Sequence, residues 1–183
     1  KLSVVQQRNY RYAVQTAKAH NQIIPTNPSE EFRIDIRIQE LDQNGIGDES
    51  ATLVKKLEQL DKKLSKYVEP RPSMALRLVK TDLKPALAGS VKDIKKYNLT
   101  EAATKERTSY IAMINIARVL APKRDDEEII RQALRDVEEA IGDQEELLED
   151  TTALENSENV DPDDLSMDQA DLVDRTDFIR QDV

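Results

Sequence analysis

Between Glu49 and Val68 the apolar side chains Leu53, Leu57, Leu60, Leu64 and Tyr67 step by four, three, four and three residues. This heptad seam runs over more than two heptads and predicts a helix that packs along one stripe. Aromatics make up only 4% of the 183 residues and hydrophobic residues 38%, so a core must be built from Leu, Ile, Val and Ala. Such a composition suits packed helices better than sheets, and the length suits one domain, or one domain with an appendage.

Other segments repeat the helical theme. The first helix is expected from about Leu2 to His20, with Tyr10, Val14 and Ala17 on one line and Val5 and Tyr12 beside it, ending at Ile23-Ile24-Pro25. Asn27-Pro28-Ser29-Glu30 reads as a cap, a first-turn proline and a glutamate three residues after the cap, which starts a helix near Pro28. Within it Phe32, Ile34, Ile36 and Ile38 alternate with polar residues like a strand, while Ile34, Ile38 and Leu41 fit a helix, and helix is favoured. Asp42-Gln43-Asn44-Gly45-Ile46-Gly47-Asp48 supplies turn and cap residues and predicts the loop of a helical hairpin. After the seam, Pro70 and Pro72 break the helix, and Pro85 and Gly89 argue against one long straight helix over Ser73 to Tyr97. Asn98 followed by Glu101 caps an expected central helix with Ala103, Tyr110, Ile111, Ile114, Ala117 and Leu120 inside. Asp125 to Glu128 place acids at another helix start, with Ile130, Ala133, Leu134, Val137 and Ile141 as its expected buried stripe.

Charge divides the chain. Residues 143–183 hold 15 acidic and two basic side chains, against 25 basic and 21 acidic in residues 1–142. A helical body over 1–142, closed by Gly142, is therefore expected to precede an acidic, partly extended tail over 143–183 with short amphipathic segments. In that tail Leu165, Leu172 and Ile179 recur every seven residues, beyond the interruption at Asp161-Pro162.

Reactive constellations are sparse. With no Cys there is no disulfide, thiolate nucleophile or Cys-ligated metal. The one histidine, His20, sits near a helix end followed by Asn21 and Gln22, where it reads more simply as a cation or donor favoured by the dipole than as the base of a Ser-His-Asp arrangement, and a lone histidine excludes Glu-x-x-His metal bundles. The four glycines, Gly45, Gly47, Gly89 and Gly142, form neither phosphate-binding nor dinucleotide-binding patterns. A calcium loop at Asp42 fails because its fifth and twelfth positions are Ile46 and Leu53. Carboxylates such as Glu127 and Glu128 face Arg131 and Gln132 one helical turn on, the pattern of an ordinary solvated face. No enzyme, cofactor, metal or small-molecule substrate is expected.

Lys55, Lys56, Lys62, Lys63 and Lys66 form a basic face on the seam helix, and Lys92, Lys95 and Lys96 form a second cluster. They read as lysines flanking a coiled-coil seam, as a receiver of an acidic tail, or as a contact for nucleic acid or anionic membrane. No aromatic platform stands beside them to stack a base.

Near the C-terminal end, Leu172-Val173-Asp174-Arg175-Thr176-Asp177-Phe178-Ile179-Arg180 resembles the C-terminal motif by which ESCRT-III proteins bind a helical adaptor domain. Leu172, Arg175, Ile179 and Arg180 match it, while Thr176 stands where a leucine is expected, and Pro25, Pro28, Pro70, Pro72 and Pro85 interrupt the long hairpin of that family. The resemblance implies a partner docked through Leu172, Arg175, Ile179 and Arg180; read without it, the tail is still a short amphipathic acidic helix that can dock a partner through Leu165, Leu172, Arg175, Phe178 and Ile179. In composition the chain also resembles viral scaffolding and virion assembly proteins.

The expected fold is all-α, an irregular bundle of about five or six helices with a helical hairpin and an acidic tail. The alternative is a small α+β body with strands at Phe32 to Gln39 and Met74 to Lys80. The expected function is non-enzymatic: a structural or assembly protein, a phage virion or scaffolding component included. It acts through self-association along Leu53, Leu57, Leu60, Leu64 and Tyr67, a seam that equally fits helix packing inside one chain's core, or through a protein partner on the tail, as a homo-oligomer or larger assembly. The alternative is a nucleic-acid-associated or membrane-associated helical module with an acidic regulatory tail. No apolar run reaches the length of a membrane span, and the N-terminal Lys1 to Arg8 has no signal-peptide core, so the cytoplasm, or a virion, is the expected location.

Overall fold

Ser29 accepts a hydrogen bond on its Oγ from the Phe32 amide at 3.2 Å and so opens the longest helix of the chain's computed structural model, α2. The structure describes residues 1–20, 24–67, 69–122, 126–156 and 162–182, and no strand occurs among them. In chain order the elements are α1 (Leu2–Ala19), α2 (Glu30–Leu64), a 3-10 turn (Ser65–Tyr67), α3 (Arg71–Leu78), a π turn (Val79–Leu83), α4 (Lys84–Ile94), α5 (Leu99–Leu120), α6 (Asp126–Asn156) and α7 (Pro162–Asp182). The all-α class holds, and the strands of the α+β alternative lie within α2, α3 and the π turn. Ile23, Val68, Asp125 and Asp161, to which helix ends were assigned from sequence, lie outside the described residues.

α2 corrects the expected hairpin. Its cap is Ser29 rather than Asn27, and it runs unbroken for 35 residues through Gly45 and Gly47. The reason is its buried face: Phe32, Ile36, Gln39, Gln43, Ile46, Ser50, Val54 and Leu57 keep helical phase straight across the expected turn. No described glycine has positive φ, so neither glycine is used as a turn residue. Pro85 is likewise absorbed. Just before it, the Lys84 amide donates to the Val79 carbonyl five residues back, and this wide turn gives the proline ring room that a regular α-turn would deny. α3, the π turn and α4 thus form one continuous path over residues 71–94.

α4 ends in a turn in which the amides of Lys96 and Asn98 both donate to the Asp93 carbonyl at 3.0 Å, with Tyr97 left-handed at φ 61°. Asn98 then caps α5 as expected, its Oδ1 accepting from the Glu101 amide at 3.3 Å. α5 packs on α1, α3, α4 and the π turn, the central position expected of it. Its buried face is rotated from the expected stripe, however: Leu99, Ala102, Ala103, Glu106, Ser109, Ala112 and Met113 are inside, whereas Ala117 and Leu120 are exposed. α1 shows the same rotation, burying Gln6, Asn9, Ala13, Thr16 and Ala17 while Val5 is exposed.

The chain divides into two units, Lys1–Ala121 and Pro122–Val183. Gly142, the expected boundary, lies inside α6, and the described residues of 143–183, expected to be partly extended, are helical, in α6 to Asn156 and in α7 from Pro162 to Asp182. In the first unit two aliphatic clusters form. One gathers Ile46, Val54, Leu57, Val79, Leu83, Leu87 and Met113; the other gathers Ala17, Phe32, Ile36, Ile94, Leu99 and Ala102. In the second unit α7 packs on α6, with Leu147, Met167 and Leu172 buried.

Candidate functional site

Along both α2 and α5 the residues between the two aliphatic clusters are polar and buried. Gln6 and Asn9 of α1, Gln39 and Gln43 of α2, and Glu106 and Ser109 of α5 form this layer. Gln39 Nε2 donates to Glu106 Oε1 at 2.9 Å and Oε2 at 3.1 Å, and to the Asn9 carbonyl at 3.0 Å. Asn9 Nδ2 donates to Gln43 Oε1 at 2.6 Å, and Gln6 Nε2 reaches Gln43 Oε1 and the Glu106 carbonyl, each at 3.3 Å. Burial pushes the Glu106 carboxyl up to about 8, with the Gln39 hydrogen bond acting in the opposite sense. At neutral pH it is therefore a protonated acid that can donate one O–H. Among the described residues Gln6 Oε1, Gln39 Oε1 and Gln43 Nε2 have no hydrogen-bond partner, so the layer holds both acceptors and a donor to spare.

With Glu106 at 0% exposure the layer is closed off from solvent. It holds three helices in one register, because sliding any of them would strand buried amides against aliphatic neighbours. Sequence patterning that sends every polar residue outward misses it. The available signal was phase, since Gln39 and Gln43 continue the spacing of Ile36 and Ile46, and Glu106 and Ser109 that of Ala102 and Met113.

A second feature is open to solvent. A groove of about 440 Å³ in the first unit is lined by Leu2 of α1, Leu53, Val54, Leu57 and Leu60 of α2, Leu83 of the π turn and Ile116 and Leu120 of α5. The seam predicted from sequence is thereby split. Leu57 is core, Leu53 and Leu60 are half exposed along the groove, Leu64 is half-buried, and Tyr67 is exposed at 77%. Lys55, Lys56, Lys62 and Lys63 are exposed, and of these Lys56 lines the groove together with Lys1. The Lys66 side chain lies outside the described residues.

The tail residues are placed within the second unit. Leu172 is buried, Leu165, Phe178 and Ile179 are partly buried, and Arg175 Nη1 pairs with Asp143 Oδ2 at 2.5 Å while its Nη2 pairs with Glu139. Ile179 and Leu172 face a cavity of about 520 Å³ shared with Val137 and Ile141 of α6. The stripe expected to be buried on α6 is instead exposed at Ile130, Leu134, Val137 and Ile141: α7 packs on α6 but leaves these side chains uncovered, Val137 and Ile141 standing at the edge of the cavity beside it.

Reactive geometry does not emerge elsewhere among the described residues. His20 lies edge-on to Phe32, ring centroids 4.2 Å apart, with its Nε2 4.0 Å from Asp35 Oδ2. Tyr12 donates to the other Asp35 oxygen at 3.0 Å, and burial with that bond raises its phenol. Among the described residues no group of three His, Asp or Glu could hold a metal, and no helix is long and apolar enough to cross a membrane. No protein-family profile matches the chain, and neither a curated protein nor a solved structure matches it.

Proposed function

We propose that this chain is a non-enzymatic assembly protein that works by docking helices, with the groove along Leu53, Leu57 and Leu60 as its docking surface. The observation that carries the reading is the groove itself. Its aliphatic walls are open to solvent, its cationic side chains are Lys1 and Lys56, and no pair of its lining residues is an acid and a base poised for chemistry. A channel of this kind takes the apolar face of an amphipathic helix. The buried amide layer supports the same role, since it keeps the helices that form the groove walls in register.

Light scattering behind a sizing column tests the proposal. The full chain is expected to show a mass above that of one copy, rising with concentration, and Leu60→Asp at the groove wall is expected to lower it. Leu57→Asp is the wrong probe, because Leu57 belongs to the core and its loss reads out folding. A monomeric full chain at every concentration, unchanged by Leu60→Asp, overturns the proposal.

A further inference from the structure

We infer that the groove in residues 1–121 receives the exposed aliphatic stripe of α6 from a second copy of this chain, so that copies join head to tail. The inference rests on the docking reading above and names the occupant.

The groove contains Lys1 and Lys56 and no carboxylate, so the helix that fills it must be apolar along one side and acidic at its flanks. α6 has that form. Ile130, Leu134, Val137 and Ile141 step by four, three and four residues and are 42–58% exposed; around them Glu138 and Glu145 are exposed, while Glu127 pairs with Arg131 and Glu139 with Arg175, and over residues 126–145 acids outnumber bases by eight to two. The seven-residue interval from Ile130 to Val137 equals that from Leu53 to Leu60, about 10 Å of helix in each case. Two helices can therefore meet through matched heptad positions.

Charge selects among the pairings. Residues 1–121 carry 21 basic and 14 acidic side chains, a net +7, and residues 122–183 carry six basic and 22 acidic ones, a net −16. Two α6 stripes face to face would bring acidic flanks together, and two grooves would bring lysines together. Only groove with stripe places opposite charges across the contact. Such an interface is heterologous, and it propagates into a ring or an open chain.

The test uses full-length variants, each first checked by circular dichroism for native helicity. Leu53→Asp disables the groove and Leu134→Asp disables the stripe, at sites 52% and 58% exposed, where a charge is compatible with folding. Each variant alone is expected to need about tenfold or more higher concentration to associate. Their equimolar mixture is expected to form a one-to-one dimer, the intact groove of one holding the intact stripe of the other. Lys56→Glu is expected to weaken association and Lys92→Glu, outside the groove, to leave it unchanged.

If Leu53→Asp stays associated while Leu134→Asp does not, stripes pair with stripes and the inference fails. If Leu134→Asp associates normally and Leu53→Asp does not, the docking groove stands but its occupant is something else. Two monomeric variants that fail to complement each other also overturn the head-to-tail contact. A full chain that never associates removes the self-assembly reading with it.

Discussion

At pH 7 the buried carboxyl of Glu106, pushed up to about 8 from an ordinary value of 4.5, keeps its proton. Its hydrogen-bond donors, Gln39 and Asn9, are neutral amides. Because the folded state holds this proton more tightly than the unfolded state, the group's contribution to stability is fully present below about 4.5. It falls as pH rises from there through about 8. Glu106→Gln keeps the shape and removes the titration. Urea melts of both proteins between pH 5.5 and 9 are expected to show the variant gaining on the wild type as pH rises, by on the order of a few kcal/mol at the alkaline end. A constant difference across that range would show that Glu106 ionises normally in the fold.

Among the elements, α2 makes the sharpest predictions. Ile46 sits mid-helix at 3% exposure within the larger aliphatic cluster, so Ile46→Ala is expected to cost about 2–4 kcal/mol. Ile38→Ala, at an exposed position of the same helix, is expected to stay within about 0.5 kcal/mol. Gly45 and Gly47 have negative φ and open space where a Cβ would stand, so alanine at either site is expected to stabilise by about 1 kcal/mol and raise the melting temperature by a few degrees. Had these glycines formed a hairpin turn, both substitutions would destabilise. The hairpin was the natural local reading, since Asp-Gln-Asn-Gly-Ile-Gly-Asp is rich in turn formers. Propensity yields here to a buried face that must run without interruption from Phe32 to Leu57.

At the scale of the molecule, the two units differ in charge and in how far they cover their apolar side chains. Both aliphatic clusters and the amide layer draw only on residues of Lys1–Ala121. A protein of residues 1–121 is therefore expected to melt cooperatively by itself in calorimetry; a broad, non-cooperative transition would mean that the second unit is required for folding. From the sequence alone the helical class, the aliphatic core, the Asn98 cap and the segregation of charge are legible, because each follows from composition or from residues near one another in the chain. The amide layer, the continuity of α2 and the exposure of the α6 stripe are not. A glutamine in helical phase with isoleucine is buried or solvated according to what another helix brings opposite it. Gln39 is buried because α1 and α5 present Asn9 and Glu106 to it, and Leu134 is exposed because α7, packed on α6, leaves it uncovered. Those partners stand 30 to 67 residues away from Gln39 along the chain, and only the packed structure brings them into contact.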